Sequence, residues 1–131
     1  MKIKDAVKLL NADTLSENKS MDNYIIRSAF AADLLSDVLA LTGDEQATLI
    51  TGTANMQVIR VAEILDISCI IFVRGKTPEQ GILIKAKELG IPLLRTRKTM
   101  FETCGILYSH GVSHCRYKNC IENNGMPGGR K

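Results

Sequence analysis

Apolar positions recur along the chain with two periods. Ile3, Ala6, Val7 and Leu10 fall at helical spacing, and Asn11 closes that segment. Residues 13–22 are polar and predict a loop with a brief strand near Leu15. Tyr24 to Ala32 mixes β-branched Ile25 and Ile26 with alanines that suit either state. It reads as a strand running into a turn, with Asp33 as N-cap of a helix from Leu34 to Leu41 that Gly43 ends. Ala47 to Ile50 is the next strand, followed by Thr51-Gly52-Thr53 and a helix from Ala54 to Leu65. That helix is apolar on most of its circumference, so only Gln57, Arg60 and Glu63 are predicted to face water.

The stretch from Ile67 to Gly81 organises the rest. Ile67 to Val73 is apolar and β-rich with no polar alternation, the pattern of a strand covered on both faces of a parallel sheet. Arg74, Gly75 and Lys76 form a basic turn. Thr77, Pro78 and Gln80 then read as the cap and first turn of a helix that points Ile82, Leu83, Ala86 and Leu89 inward and ends at Gly90. Leu93 and Leu94 make a short strand before Arg95, Thr96, Arg97 and Lys98. Thr99 with Glu102 is a capping box opening a helix with Met100, Phe101, Cys104, Leu107 and Tyr108 on one face. After Gly111 periodicity stops, and the Asn/Gly/Pro-containing stretch to Lys131 predicts loop.

Repeated strand-helix alternation requires right-handed crossovers between parallel neighbours. The expected fold class is therefore α/β, a small parallel or mostly parallel sheet flanked by helices. The expected organisation is one domain over residues 1–110 and a flexible basic tail over 111–131.

Net charge is +3, and its location matters more than its size. Residues 1–109 carry thirteen Lys/Arg and thirteen Asp/Glu, so the excess lies in the tail, where Arg116, Lys118, Arg130 and Lys131 face only Glu122. A neutral body without a clustered basic face argues against nucleic acid as a partner. No apolar run reaches the length of a membrane span, and Met-Lys-Ile-Lys-Asp lacks the layout of a signal peptide. A soluble, cytoplasmic protein with no membrane partner is expected. In such a setting the four cysteines are not a disulfide framework: Cys69 and Cys104 read as core, which leaves Cys115 and Cys120 for chemistry.

Ligands of open α/β sheets gather at the carboxyl ends of the strands. Turns after Ile50, Val73 and Leu94 would bring Thr51, Gly52, Thr53, Arg74, Gly75, Lys76, Arg95, Thr96, Arg97 and Lys98 to one rim. Backbone N–H groups, helix dipoles and several cations there favour an anionic ligand, a phosphorylated or nucleotide-like small molecule. The competing interpretation makes Thr53, Thr77 and Thr99 N-caps and the basic residues solvated loop charges. The rim loops offer no general base beyond Glu79 and Glu102, both at helix starts, so no catalytic residue is expected. The phosphate-cradling G-x-x-x-x-G-K-[ST] sequence is absent. His110, His114, Cys115 and Cys120 could supply zinc ligands, but no paired C-x2-C knuckle is present and His114 and Cys115 are adjacent. No metal or cofactor is expected.

Asp33-Leu-Leu-Ser-Asp-Val-Leu-Ala40, Ile50-Thr-Gly-Thr53, Ile70-Ile-Phe-Val-Arg-Gly-Lys-Thr-Pro78, Gly90-Ile-Pro-Leu-Leu-Arg-Thr96 and Thr99-Met-Phe-Glu102 resemble the DRTGG domain. That family is similar to the amino-terminal domain of the bacterial HPr kinase/phosphorylase. The likeness covers about residues 1–110, most specifically Ile70 to Glu102. Where the Asp-Arg-Thr-Gly-Gly signature should fall, the chain reads Asp22-Asn-Tyr-Ile-Ile-Arg-Ser-Ala-Phe, with Asn23 after the acidic residue and Ser28 and Ala29 at the glycines. The resemblance implies a stand-alone regulatory or ligand-sensing interaction module with an unidentified partner protein and no catalysis of its own. It also implies a homodimer, with Leu34, Leu35, Val38 and Leu39 as candidate interface residues; core burial of the same residues is the alternative. Two other functions are weighed beside it, a small enzyme acting on an anionic or phosphorylated substrate and a metal-binding tail that docks a partner.

Overall fold

The computed structural model describes residues 1–16, 24–41 and 46–116. The described elements run α1 (Ile3–Leu10), β1 (Asp13–Ser16), β2 (Ser28–Ala31), α2 (Leu35–Leu41), β3 (Thr48–Thr51), α3 (Met56–Ile64), β4 (Cys69–Phe72), α4 (Gln80–Leu89), β5 (Leu93–Arg95), α5 (Met100–Ser109) and β6 (Ser113–His114). They form a six-stranded sheet in the order β1-β5-β4-β3-β2-β6. Strands β2 to β5 are mutually parallel, β6 adds parallel to β2, and β1 runs antiparallel to β5. The fold is thus the expected α/β class with a mostly parallel sheet.

Register sorts the core into two layers. Leu49, Ile70 and Leu93 lie side by side across β3, β4 and β5, as do Ile50, Ile71 and Leu94 one residue on. Because successive side chains of a strand point to opposite faces, the first row packs with Val58, Ile59, Val61 and Ala62 of α3 and Ile82 and Ala86 of α4. The second row packs with Ile3, Ala6 and Leu10 of α1 and Leu107 of α5. Every residue of β3 and β4 is buried, which accounts for the unbroken apolar run of the central strand.

Helix boundaries follow the sequence signals with informative exceptions. Asn11 closes α1 and Gly90 closes α4, both in the left-handed conformation, and the Thr99–Glu102 capping box opens α5. Thr53 does not cap α3: Asn55 does, accepting from the Gln57 N–H. Thr77 does not cap α4, because its hydroxyl accepts a hydrogen bond from Arg95 and the helix starts two residues later, with Glu79 at the N-cap. On α5 the buried positions are Thr103 and Leu107, while Phe101 and Tyr108 are 89% and 70% exposed. The apolar stripe read from the sequence and the face that meets the sheet are therefore rotated relative to each other.

The sheet also extends past residue 110. Ser113 and His114 pair with Ser28 and Ala29, and Val112 and Cys115 are buried. Residues 111–116 are thus part of the fold rather than of a tail, and the remainder of the expected tail, 117–131, lies outside the described residues. No helix among the described residues is long and apolar enough to cross a membrane.

Candidate functional site

Parallel strands end together, so the loops after β2, β3, β4 and β5 share one rim. Thr51, Phe72 and Arg95 are register partners at the last positions of β3, β4 and β5. Arg74 and Gly75 follow as consecutive residues at positive φ, 58° and 67°, and the Lys76 N–H donates back to the Val73 carbonyl. That is the backbone of a type I′ turn, which favours Gly or Asn and which a long side chain adopts only when its surroundings hold it there. Here they do: the Arg74 N–H donates to the Lys98 carbonyl at 2.8 Å and the Gly75 N–H to the Thr96 carbonyl at 2.8 Å.

The Arg74 guanidinium folds back over Gly52. A Cβ at Gly52 would collide with the nearer Nη and lie 2.7 Å from Cζ, so glycine leaves the room the guanidinium occupies. On the same spot sits Asp33. Its Oδ1 accepts from the Gly52 N–H at 2.6 Å and from the Thr51 hydroxyl at 3.4 Å, and its Oδ2 faces an Arg74 Nη at 3.4 Å. The Thr53 hydroxyl donates to the Asp33 carbonyl at 2.7 Å. Asp33 thus joins the loops after β2, β3 and β4 instead of capping α2 through its carboxylate.

Three further carboxylates serve neighbouring donors. Asp13 Oδ2 accepts from Arg95 Nη2 at 2.8 Å and from its Nε at 3.3 Å. Glu79 accepts from the Met56 N–H at the start of α3. Glu102 accepts from the Thr99 N–H, and that hydrogen bond holds its carboxyl below the ordinary value. Among the described residues Lys76, Arg97 and Lys98 form no ion pair. The rim is therefore a set of anion-seeking donors, several already met by the protein's own carboxylates, beside Lys76, Arg97 and Lys98, which form no ion pair among the described residues although the charge of Lys98 helps lower Glu102.

The sequence pattern of the DRTGG domain matches residues 5–109. The chain belongs to the DRTGG domain family. Among solved structures, this DRTGG domain is similar to the CBS and DRTGG domains of the regulatory region of Clostridium perfringens pyrophosphatase, complexed with the activator diadenosine tetraphosphate. The two are 19% identical with a TM-score of 0.64, over 81% of this chain and 45% of that one. At that identity the likeness shows the fold, and the chain spans less than half of its neighbour's length. No curated protein matches.

Of the residues expected at the rim of this DRTGG domain, Thr51 and Arg95 end β3 and β5, and Gly52, Thr53, Arg74, Gly75, Lys76, Thr96, Arg97 and Lys98 sit in the loops that follow the strands. They are not equally available. Thr51 is buried, and buried Thr96 donates to the Leu10 carbonyl at 2.7 Å, so both hydroxyls belong to the scaffold. Sequence reasoning missed Asp33 and Asp13 as rim residues, since each reads locally as a cap or loop carboxylate. The only sequence hint is charge, because a conformation that gathers several cations invites acidic partners from elsewhere in the chain.

The metal-ligand candidates do not converge. His114 and Cys115 are neighbours on an extended segment and so point to opposite faces. His114 borders the α5 side, while Cys115 is buried in the core cluster of the opposite face, so it is not the thiol left for chemistry that the sequence suggests. His110 Nδ1 donates to the Ile106 carbonyl at 2.8 Å. Cys120 lies outside the described residues. At the altered signature, Ser28 and Ala29 are ordinary strand residues of β2, and Asp22 and Asn23 lie outside the described residues. Of the four residues considered for an interface, Leu34 just before α2 and Leu35, Val38 and Leu39 within it, Val38 is fully buried and Leu35 packs against the core, leaving Leu34 and Leu39 exposed.

Proposed function

We propose that this DRTGG domain is a regulatory, ligand-responsive module that binds a phosphorylated small molecule at the strand-end rim and does no chemistry on it. The observation that carries the reading is the seat held by Asp33: a buried-loop N–H at 2.6 Å and a guanidinium at 3.4 Å around one carboxylate. A phosphate oxygen has the same requirements as that carboxylate oxygen. Lys76, Arg97 and Lys98, in the loops after β4 and β5, would supply positive charge against the rest of the ligand. Binding would exchange an internal anion for an external one, so occupancy is coupled to the position of the loop that leads into α2.

Two features support regulation over catalysis. The rim's carboxylates are engaged, Asp33 with the Gly52 amide and Arg74, and Asp13 with Arg95, which leaves neither positioned as a ready general base. The similar pyrophosphatase structure is a regulatory region bearing a nucleotide activator, which fits a module that senses a phosphorylated molecule.

Isothermal titration with inorganic pyrophosphate and with ATP tests the reading on wild type, Asp33→Asn and Arg74→Ala. Tighter binding by Asp33→Asn and a loss of roughly ten-fold or more in Arg74→Ala is expected, since one change removes the internal competitor and the other a charge-assisted donor. No heat from either probe at millimolar concentration in all three proteins would reject the site.

A further inference from the structure

The rim holds a second place built like the one Asp33 occupies. Arg95, the last residue of β5, donates through Nη1 to the Thr77 hydroxyl at 2.9 Å, and through Nη2 and Nε to one oxygen of Asp13 at 2.8 and 3.3 Å. Thr77 therefore steadies the guanidinium from one side while Asp13 fills the two-pronged edge that arginine offers to carboxylate and phosphate alike. In this pair the carboxylate is the outer member, its side chain 59% exposed against 26% for Arg95. Exposed pairs of this kind add little to stability, so another anion can take the carboxylate's place while Thr77 keeps the arginine where it is.

Register sets the distance between the two seats. Thr51, whose hydroxyl touches Asp33, is the partner of Phe72, and Phe72 is the partner of Arg95. Partners across neighbouring strands point to one face of a sheet, and two steps between strands come to about 10 Å. Both seats thus lie on the face that Leu49 and Leu93 present two residues earlier, the layer covered by α3 and α4. A single phosphate reaches one of them. A molecule with an anionic group at each end reaches both.

We propose, building on the reading of the rim as an anion site, that its ligand is two-ended, with anionic groups about 10 Å apart. One end takes the Gly52 amide and Arg74 in place of Asp33, and the other takes the Arg95 fork in place of Asp13. Once one end is bound, the second contact is intramolecular, which multiplies affinity when the spacer matches the span and adds nothing when it is too short. The rim therefore selects by length as well as by charge. Occupancy at both ends frees Asp13 in β1 and Asp33 before α2 together, so two segments far apart in the chain answer to one binding event.

Isothermal titration of the full chain with two probes of equal charge tests the length requirement: ethylene bisphosphate, too short to bridge the seats, and hexamethylene bisphosphate, long enough to do so. The longer probe is expected to bind wild type roughly ten-fold or more tighter than the shorter. Arg95→Gln should bring the two within about two-fold of each other, because it keeps any contact made by the apolar spacer and loses only the second seat. Asp13→Asn, which removes the internal competitor there, should widen the preference by roughly three-fold or more. Far-ultraviolet dichroism checks that both variants keep the fold. Equal binding of the two probes by wild type, a length preference that survives in Arg95→Gln, or one that Asp13→Asn leaves unchanged overturns the two-ended ligand and leaves a single-seat anion site standing. No heat from either probe in any of the three proteins rejects the rim site itself, and the two-ended ligand with it.

Discussion

Asp33→Ala removes the residue that ties three loops together, and the structure sets the size of the effect. The 2.6 Å hydrogen bond from the Gly52 N–H is made to a charged acceptor, a class that contributes about 1.5–3 kcal/mol, and its loss leaves a buried-loop amide without its partner. The 3.4 Å ion pair with Arg74 adds little, because the two side chains are 49% and 43% exposed and such pairs are worth about 0–1 kcal/mol. The 3.4 Å contact from Thr51 is at the limit of a hydrogen bond and is neglected. Half-exposure favours the lower end, so a destabilisation of about 2 kcal/mol is expected. For a domain of this size that lowers the melting temperature by roughly 6–12 °C. Asp33→Asn keeps an oxygen for the Gly52 amide and drops only the charge, so it should cost about 1 kcal/mol or less. Urea unfolding followed by far-ultraviolet dichroism measures both. If alanine costs under about 0.5 kcal/mol, or asparagine as much as alanine, the carboxylate is not the clasp described.

Thr48 and Thr103 each bury a hydroxyl with no hydrogen-bond partner among the described residues. Valine has the same shape without that hydroxyl, so Thr48→Val and Thr103→Val should each raise stability by about 1 kcal/mol; a loss in urea titration of either would contradict the unsatisfied state of that group. Burial pushes the Cys69 thiol from near 9 up to about 12. The sign follows from a raised value: the protonated thiol is favoured by the fold, so its contribution is whole below pH 9 and is lost as pH climbs from 9 toward 12. Denaturation midpoints of Cys69→Ala should accordingly fall less steeply than wild type across that alkaline range, and parallel curves would count against the assignment.

The parallel sheet and its rim were legible in the sequence because they rest on local order. A buried run from Ile67 to Val73, a turn, a capped helix and a repeat of that sequence leave little choice of topology once crossovers are right-handed. Cap residues were legible only where both partners lie within one turn. Thr99 and Glu102 are three apart and the expectation holds; Thr77 was claimed by Arg95, eighteen residues away, and Asp33 by Gly52, nineteen away.

What the amino-acid order determined by itself is therefore the alternation of strands and helices and the ends at which their loops collect. Tertiary structure alone decided which charges meet there, that residues 113–114 complete the sheet, and which side of α5 the other described residues leave exposed. The physical reason is the same in each case. Periodicity reports the chance that a residue has an inside and an outside, whereas the identity of its neighbour depends on contacts between segments far apart in the chain, such as Asp13 with Arg95 across 82 residues.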